Sequence, residues 1–348
     1  ADGEANCIVA APDEQPWAQF GEAVADAVEA RLGARPPVVP ASQVDEETLR
    51  STNVIAPGIF CFNAVSERLY IRDFVLCDFS WPQGAESFVI RTVHNPWLSG
   101  TNVVFLGSTS TDGMARAVEH FDAILAEHPD GSLPPIIEVT TEKPEASLDA
   151  AALAAAEAQV AAQTSSRTMA GVAATYADNY FRSGLPEYAE LFLVAMRKLD
   201  ELHAAEGAAD DVRTSRYIFH QFDRIEEGPT FSDEDRLELT NLFYRFAHRL
   251  GYAKANVNPT MIPHGNDWNA IGAVYAALYF SRYYPDLEIG NRILEKMDVY
   301  WEPNMTNWKV NEDCPGYGDI TLTGNFNWAL HRPDMRYIEV PTERLRQM

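Results

Sequence analysis

The sequence predicts a multidomain chain of mixed class, a small N-terminal α/β sandwich domain followed by an all-α domain. Three observations lead there. The 348 residues exceed what one small core organises, and the size prior favours two domains. Over the first 140 or so residues, short β-rich runs alternate with stretches of helical periodicity, and from about Pro144 the strand signal disappears. The composition, 46% hydrophobic and 11% aromatic, supplies enough apolar material for two packed cores and excludes a disordered chain.

Taken in order, Cys7-Ile8-Val9-Ala10 reads as a strand, residues 17–32 as a helix and Asn53-Val54-Ile55 as a second strand. Ser87 to Arg91 and Asn102 to Leu106 are further strands, 112–125 a helix, and Pro135 to Val139 the last strand. The Ala-rich stretch 148–163 then opens a series of seven or eight amphipathic helices joined by short loops. Tyr188, Phe192, Ala195 and Leu199 recur along one face of such a helix. In 233–250, Ser232 is placed to cap the start with Asp235 three residues on, and Leu239, Leu242, Phe243, Phe246 and Leu250 share a side. In 267–284, Trp268, Ile271, Tyr275, Leu278 and Arg282 form one stripe that stops at Pro285. The boundary falls near 145, giving domains 1–145 and 146–348, and no 34- or 40-residue repeat is visible.

Charge narrows the function classes. With 27 Lys and Arg against 51 Asp and Glu, the net charge of −24 repels phosphate backbones and anionic lipid, so neither nucleic acid nor a membrane surface is an expected partner. No run approaches the ~20 apolar residues of a membrane span. The chain opens Ala-Asp-Gly without a leader, which reads as a soluble, already processed protein. Cys7, Cys61, Cys77 and Cys314 show no CxxC pairing or zinc spacing; they read as buried thiols, with a Cys61 to Cys77 disulfide as the alternative. No metal or other cofactor is expected.

The run Gly107-Ser108-Thr109-Ser110-Thr111-Asp112-Gly113 sits between strand and helix, where a phosphate loop would lie, but lacks the P-loop lysine and the three-glycine dinucleotide pattern. It reads as a turn with Thr111 or Asp112 as cap. The strand ending in Gly107, the turn, and the helix Gly113-Met114-Ala115-Arg116-Ala117-Val118-Glu119-His120-Phe121 together resemble the α/β accessory domain that precedes the catalytic domains of several glycoside hydrolases. That resemblance covers about 130 residues and implies an accessory role.

Three segments of the helical domain carry candidate chemistry. The first, Asn256 to Trp268, is a loop with two prolines and with Asn258, His264 and Asn266 at a helix mouth; the plainer reading makes Asn266 or Asp267 a cap. The second, Asn311 to Thr321, sets Tyr317 between two glycines beside Glu312 and Asp313; the plainer reading is a turn. The third, His220 to Glu227, puts His220 and Arg224 on one face at helical spacing, with Gln221 between them; the plainer reading is an ordinary ion pair of Arg224. Together they resemble the α/α-toroid polysaccharide lyases of the heparinase II/III and alginate-lyase type. His264-Gly265-Asn266-Asp267-Trp268 stands where that family carries Asn-His before an apolar helix, and Glu312-Asp313-Cys314-Pro315-Gly316-Tyr317 where it carries Glu-Asp-x-x-x-Tyr.

The resemblance implies a secreted or periplasmic enzyme with an (α/α) toroid that cleaves a uronic-acid polysaccharide or oligosaccharide by β-elimination. His264 and Tyr317 would transfer protons, and Asn258, Asn266, Gln221 and Arg224 would bind the uronate carboxylate. Glu312 would orient a neighbouring group, and Trp268, Trp301, Trp308 and Tyr275 would offer stacking surfaces. Pro263 replaces the family's Asn before His264, and about four helix pairs make the toroid incomplete, a fragment or a short version. The charge of −24 opposes a polyanion at long range, until salt screens it beyond ~10 Å. Two other readings follow: a glycoside hydrolase using Asp267 with Glu312 or Asp313, and a non-catalytic carbohydrate-binding fragment.

Overall fold

The computed structural model describes residues 5–141, 148–206, 218–249, 252, 264–306, 324 and 326–330, with the backbone alone at 79, 264–269 and 303–306. The chain divides into two compact units. One comprises Ala1–Leu148 with Asn179–Glu187 and Arg224–Phe231; the other comprises Asp149–Asp178, Tyr188–Asp223 and Ser232–Met348.

The first unit is built on a six-stranded sheet of order β2-β1-β3-β5-β4-β6, from β1 (Cys7–Ala11), β2 (Val38–Pro40), β3 (Asn53–Pro57), β4 (Phe88–Val93), β5 (Val103–Gly107) and β6 (Ile137–Thr140). β1 runs parallel to β2 and β3, and β3 to β5, whereas β4 is antiparallel to both β5 and β6. Every strand read from the sequence is present. β2 escaped that reading because its three residues lie in Pro36-Pro37-Val38-Val39-Pro40, whose prolines look like punctuation. Two short helices escaped it as well, α2 (Glu46–Ser51) and α3 (Ala64–Ile71).

Helices α1 (Gln19–Leu32) and α4 (Thr111–Glu127) lie together on one sheet face. Phe20, Val24 and Val28 of α1 and Met114, Phe121 and Leu125 of α4 bury against Val9, Ile55, Ile90 and Leu106. The approach of α1 to β1 depends on Gly21, where a Cβ would stand 2.3 Å from the Cβ of Ala11. Ser110, rather than Thr111 or Asp112, caps α4, its Oγ accepting from Gly113 N at 3.0 Å. Gly113 is demanded by packing, since a Cβ there would meet Ser108 Oγ and the Ser87 carbonyl at 2.3 Å. The turn is therefore closed by its own side chains, as an ordinary strand-to-helix connection.

The opposite sheet face presents Arg91, fully buried. Its Nη2 donates to the Phe181 carbonyl at 2.6 Å, and its guanidinium lies 4.0 Å over the Phe181 ring. Phe181 belongs to the last turn of helix α6 (Ser166–Ser183), whose final carbonyls have no partner within the helix. Arg91 thus satisfies a helix C-terminus with a positive charge. Burial, aided by the neighbouring Arg224 charge, pulls its pKa down to about 9.

The second unit is helical among its described residues. It contains α5 (Ala150–Ala161), most of α6, α7 (Pro186–Glu206), α8 (Ile218–Asp223), α9 (Asp233–Arg249), α10 (His264–Tyr283) and α11 (Glu288–Thr306). Phe192, Ala195 and Leu199 of α7, and Leu239, Leu242, Phe243 and Phe246 of α9, are buried as their periodicity predicts. The expected cap of α9 is formed: Ser232 Oγ and N donate to Asp235 Oδ2 at 2.6 and 3.0 Å, and Asp235 N returns a bond to Ser232 Oγ at 3.1 Å. Cys7, Cys61 and Cys77 are free thiols, which excludes the Cys61 to Cys77 bridge, and Cys61 is exposed rather than buried. Cys314 lies outside the described residues. No helix among the described residues is long and apolar enough to cross a membrane.

Two outcomes follow from this packing. Gly21→Ala should lower stability by about 1–3 kcal/mol through overpacking against β1, read as a drop in the thermal denaturation midpoint. Hydrogen bonds from Ser232 hold the Asp235 carboxyl below its ordinary pKa, so their stabilisation is complete above the unfolded value near 3.9 and is lost as pH falls through the folded one. The stability gap between the native chain and Ser232→Ala should accordingly be full at pH 7 and shrink below about pH 4, as measured by denaturant titration.

Candidate functional site

The polar centre of the helical unit is built where α8 meets α10. Its floor is aromatic: Phe219 and Phe222 of α8 sit 4.8 and 5.1 Å from the Phe243 ring, and Phe222 lies 5.6 Å from Tyr279 of α10. One turn beyond Tyr279, Arg282 makes an ion pair with Asp223, and both side chains are almost wholly buried. Tyr283 Oη adds a 3.3 Å bond to the Asp223 carbonyl. Tyr279 and Tyr284 share the Thr240 hydroxyl at 3.1 and 2.6 Å, tying α10 to α9.

This clamp sets His220, which lies between Phe219 and Phe222, against the residue one turn before Tyr279, Tyr275. Their rings stack with centroids 4.7 Å apart and 27° between planes. The Tyr275 phenol oxygen accepts a 2.8 Å hydrogen bond from Asn327 Nδ2. An amide donor placed on that oxygen would support negative charge there. Gln221, next to His220 in the chain, has a buried side-chain oxygen, an acceptor, with no hydrogen-bond partner among the described residues. An imidazole, a phenol and a donor amide thus come together, a set able to move protons.

The site residues expected from sequence fall in several places. Asn258, Glu312 and Tyr317 lie outside the described residues, as does Trp308. His264, Asn266 and Trp268 form the first turns of α10, so the expected loop at 264–266 is helix instead, and only their backbone is described. At about 1.5 Å per residue, the His264 backbone stands roughly 16 Å along the axis from Tyr275. Gln221 is on α8 beside His220. Arg224 is not on that helix: α8 ends at Asp223, so the helical spacing linking His220 with Arg224 is broken. The Arg224 guanidinium instead lies 4.0 Å over the Phe181 ring, within the α/β unit.

Trp301 is fully buried against Gly324, where a Cβ would meet its ring at 2.2 Å, and is a core residue rather than a stacking platform. Trp268 and Tyr275 were marked by the stripe on α10, but the pairing of Tyr275 with His220 spans 55 residues and leaves no local signal. No group of three or more His, Cys, Asp or Glu among the described residues is placed to hold a metal ion.

Because Arg282 and Asp223 are buried together, removing one leaves the other charge unpaired in a low-dielectric core. Asp223→Ala should cost roughly 3–5 kcal/mol, and adding Arg282→Leu should recover much of it, measured as a double-mutant cycle of unfolding free energies. Compared with known proteins, the chain matches no protein-family model, no curated protein and no solved structure.

Proposed function

We propose that the chain is a polysaccharide lyase cleaving a uronic-acid-containing polysaccharide by β-elimination, with its helical domain an incomplete (α/α) toroid and with Tyr275 and His220 as the proton-transfer pair. The observation that carries this reading is the stack of His220 on Tyr275 with the phenol oxygen bonded to Asn327.

The reaction removes the proton at C5 of the uronate, passes its electron pair into a new ring double bond, and breaks the bond to the adjacent glycosidic oxygen, which takes up a proton. That C5 proton is too weakly acidic unless the neighbouring carboxylate is neutralised, because the intermediate places negative charge on the carboxylate oxygens. An amide N–H answers that need, and in this reading Gln221 supplies it through Nε2. Tyr275 delivers the proton to the leaving oxygen, its phenolate form then being supported by Asn327, and His220 is the base. The same phenol serves both steps where His220 acts only to hold the carboxylate.

His264 and Tyr317, read from the sequence as the proton-transfer pair, are the competing assignment within the same chemistry. Separate Tyr275→Phe and Tyr317→Phe variants, assayed by the ultraviolet absorbance of the unsaturated product on alginate, glucuronan, heparinoid and chondroitin, decide between them. Tyr275→Phe and His220→Ala should each reduce turnover by about 10²–10⁴-fold while Tyr317→Phe leaves it nearly intact. The reverse pattern would move the chemistry to His264 and Tyr317, and reducing ends released without any absorbing product would sink the lyase reading altogether.

A further inference from the structure

At the amino ends of the parallel strands, on the α/β unit, two concavities meet. One is a cavity of about 390 Å³ with an apolar side formed by Val28 and Leu32 of α1, Phe121 and Leu125 of α4, and Leu133, and a polar side that includes Thr92, His94, Asn102 and Glu227. The other is an open hollow of about 710 Å³ bordered by Ser51, Thr52, Ser99 and Thr101. Asn6, Cys7 and Asn53 line both, so the two adjoin along β1 and β3. The smaller lies within the size range of small-molecule sites, about 300–1,000 Å³.

The charges around them are informative. Among the described residues Glu227 is the only Asp, Glu, Lys or Arg bordering this cavity, which His94 also lines. In the polar hollow the one cation among the described residues is Arg50, which pairs with Glu46 at 2.9 Å and donates to the Trp97 carbonyl at 2.6 Å. Among the described lining residues no further Lys or Arg is placed to receive an anionic headgroup. What the hollow offers is hydroxyls and backbone: Ser99 Oγ lies 3.1 Å from Thr101 Oγ1, and both oxygens retain acceptor capacity.

The rim of the hollow is held in shape at a cost. Asn95 and Leu98 both have positive φ, 44° and 54°, a left-handed conformation costing about 1–2 kcal/mol for a residue such as leucine. Asn95 Oδ1 holds the turn by accepting from Ser99 N at 2.7 Å and Gly100 N at 2.8 Å. The surface presented by Ser99 and Thr101 is thus imposed by the loop.

We propose that this end of the sheet binds a small uncharged amphiphile, with a hydroxyl-rich head in the polar hollow and a short apolar chain in the adjoining cavity. The site is separate from the helical unit and does not depend on the lyase reading. The probe is n-octyl β-D-glucoside, added to the full chain below its micellar concentration and followed by calorimetry and by modification of Cys7 with neutral methyl methanethiosulfonate, mapped by peptide mass.

Saturable one-to-one binding is expected, slowing Cys7 modification at least tenfold while the exposed Cys61 reacts at an unchanged rate. Octanoate, which has an acidic head, and glucose, which has no chain, should each bind at least tenfold more weakly. Leu133→Trp, which fills the apolar cavity from its loop, should abolish both binding and protection. Non-saturating heats, an unprotected Cys7, equal protection of Cys61, or octanoate binding as tightly as the glucoside would overturn the proposal. Should Leu133→Trp fail to fold, protection of Cys7 in the native chain decides alone.

Discussion

The buried ion pair of Arg282 with Asp223 is the constraint on which the helical unit's chemistry rests. Each charge on its own would pay several kcal/mol for leaving water, so neither helix can shift without exposing the other's partner. Around the pair, the Phe219, Phe222, Phe243 and Tyr279 rings exclude water and leave α8 little freedom to slide along α10. A six-residue helix would not hold its own geometry in isolation. Clamped at Asp223, it presents His220 at a fixed height on α10, where Tyr275 stands. The proposed acid–base pair is thus positioned by residues that take no part in proton transfer.

The α/β unit solves a comparable problem with a different polar device. Near the carboxyl ends of β1 and β3 buried side chains bind the backbone: Asn63 donates to the carbonyls of Ala10 and Pro57 at 2.7 and 2.8 Å while capping α3, and Ser66 donates to the Gly58 carbonyl. In open parallel sheets that end is where ligands ordinarily bind, at the point where strand order reverses. Here that end carries an open hollow of about 350 Å³ beside Ala11, Asp13, Gln19 and Pro40, and the amino end carries the cavity and the hydroxyl-lined hollow. Arg91 acts from the opposite face, joining sheet and helix terminus through one carbonyl and one aromatic ring.

Elements with a strong period were legible in advance. β1, β3, β4, β5, β6, α1 and α4 appear where alternation or a 3.6-residue repeat places them, and α5, α7, α9 and α10 likewise. What escaped was short or disguised: β2 among prolines, and α2 and α3, which are too brief for a periodic signal. The cap of α4 moved to Ser110 because three neighbouring polar residues compete for that role and only backbone geometry chooses among them. The site was less legible. Composition drew attention to loops rich in Asn, His, Gly and Tyr, whereas His220 and Tyr275 lie on two helices whose apolar faces look like core.

The sequence by itself determined an N-terminal α/β part followed by helices, the strongly periodic strands and helices, which of their faces are apolar, the capping of α9, and an acidic net charge. These are properties of local pattern and summed charge, which neighbouring residues and composition carry. Only the tertiary structure decided that α8 stops at Asp223, which sends Arg224 to Phe181 and leaves Gln221 beside His220. It alone brought His220 to Tyr275 and Tyr275 to Asn327, because such proximity comes from burying an ion pair and an aromatic cluster drawn from distant segments, and no local period encodes it.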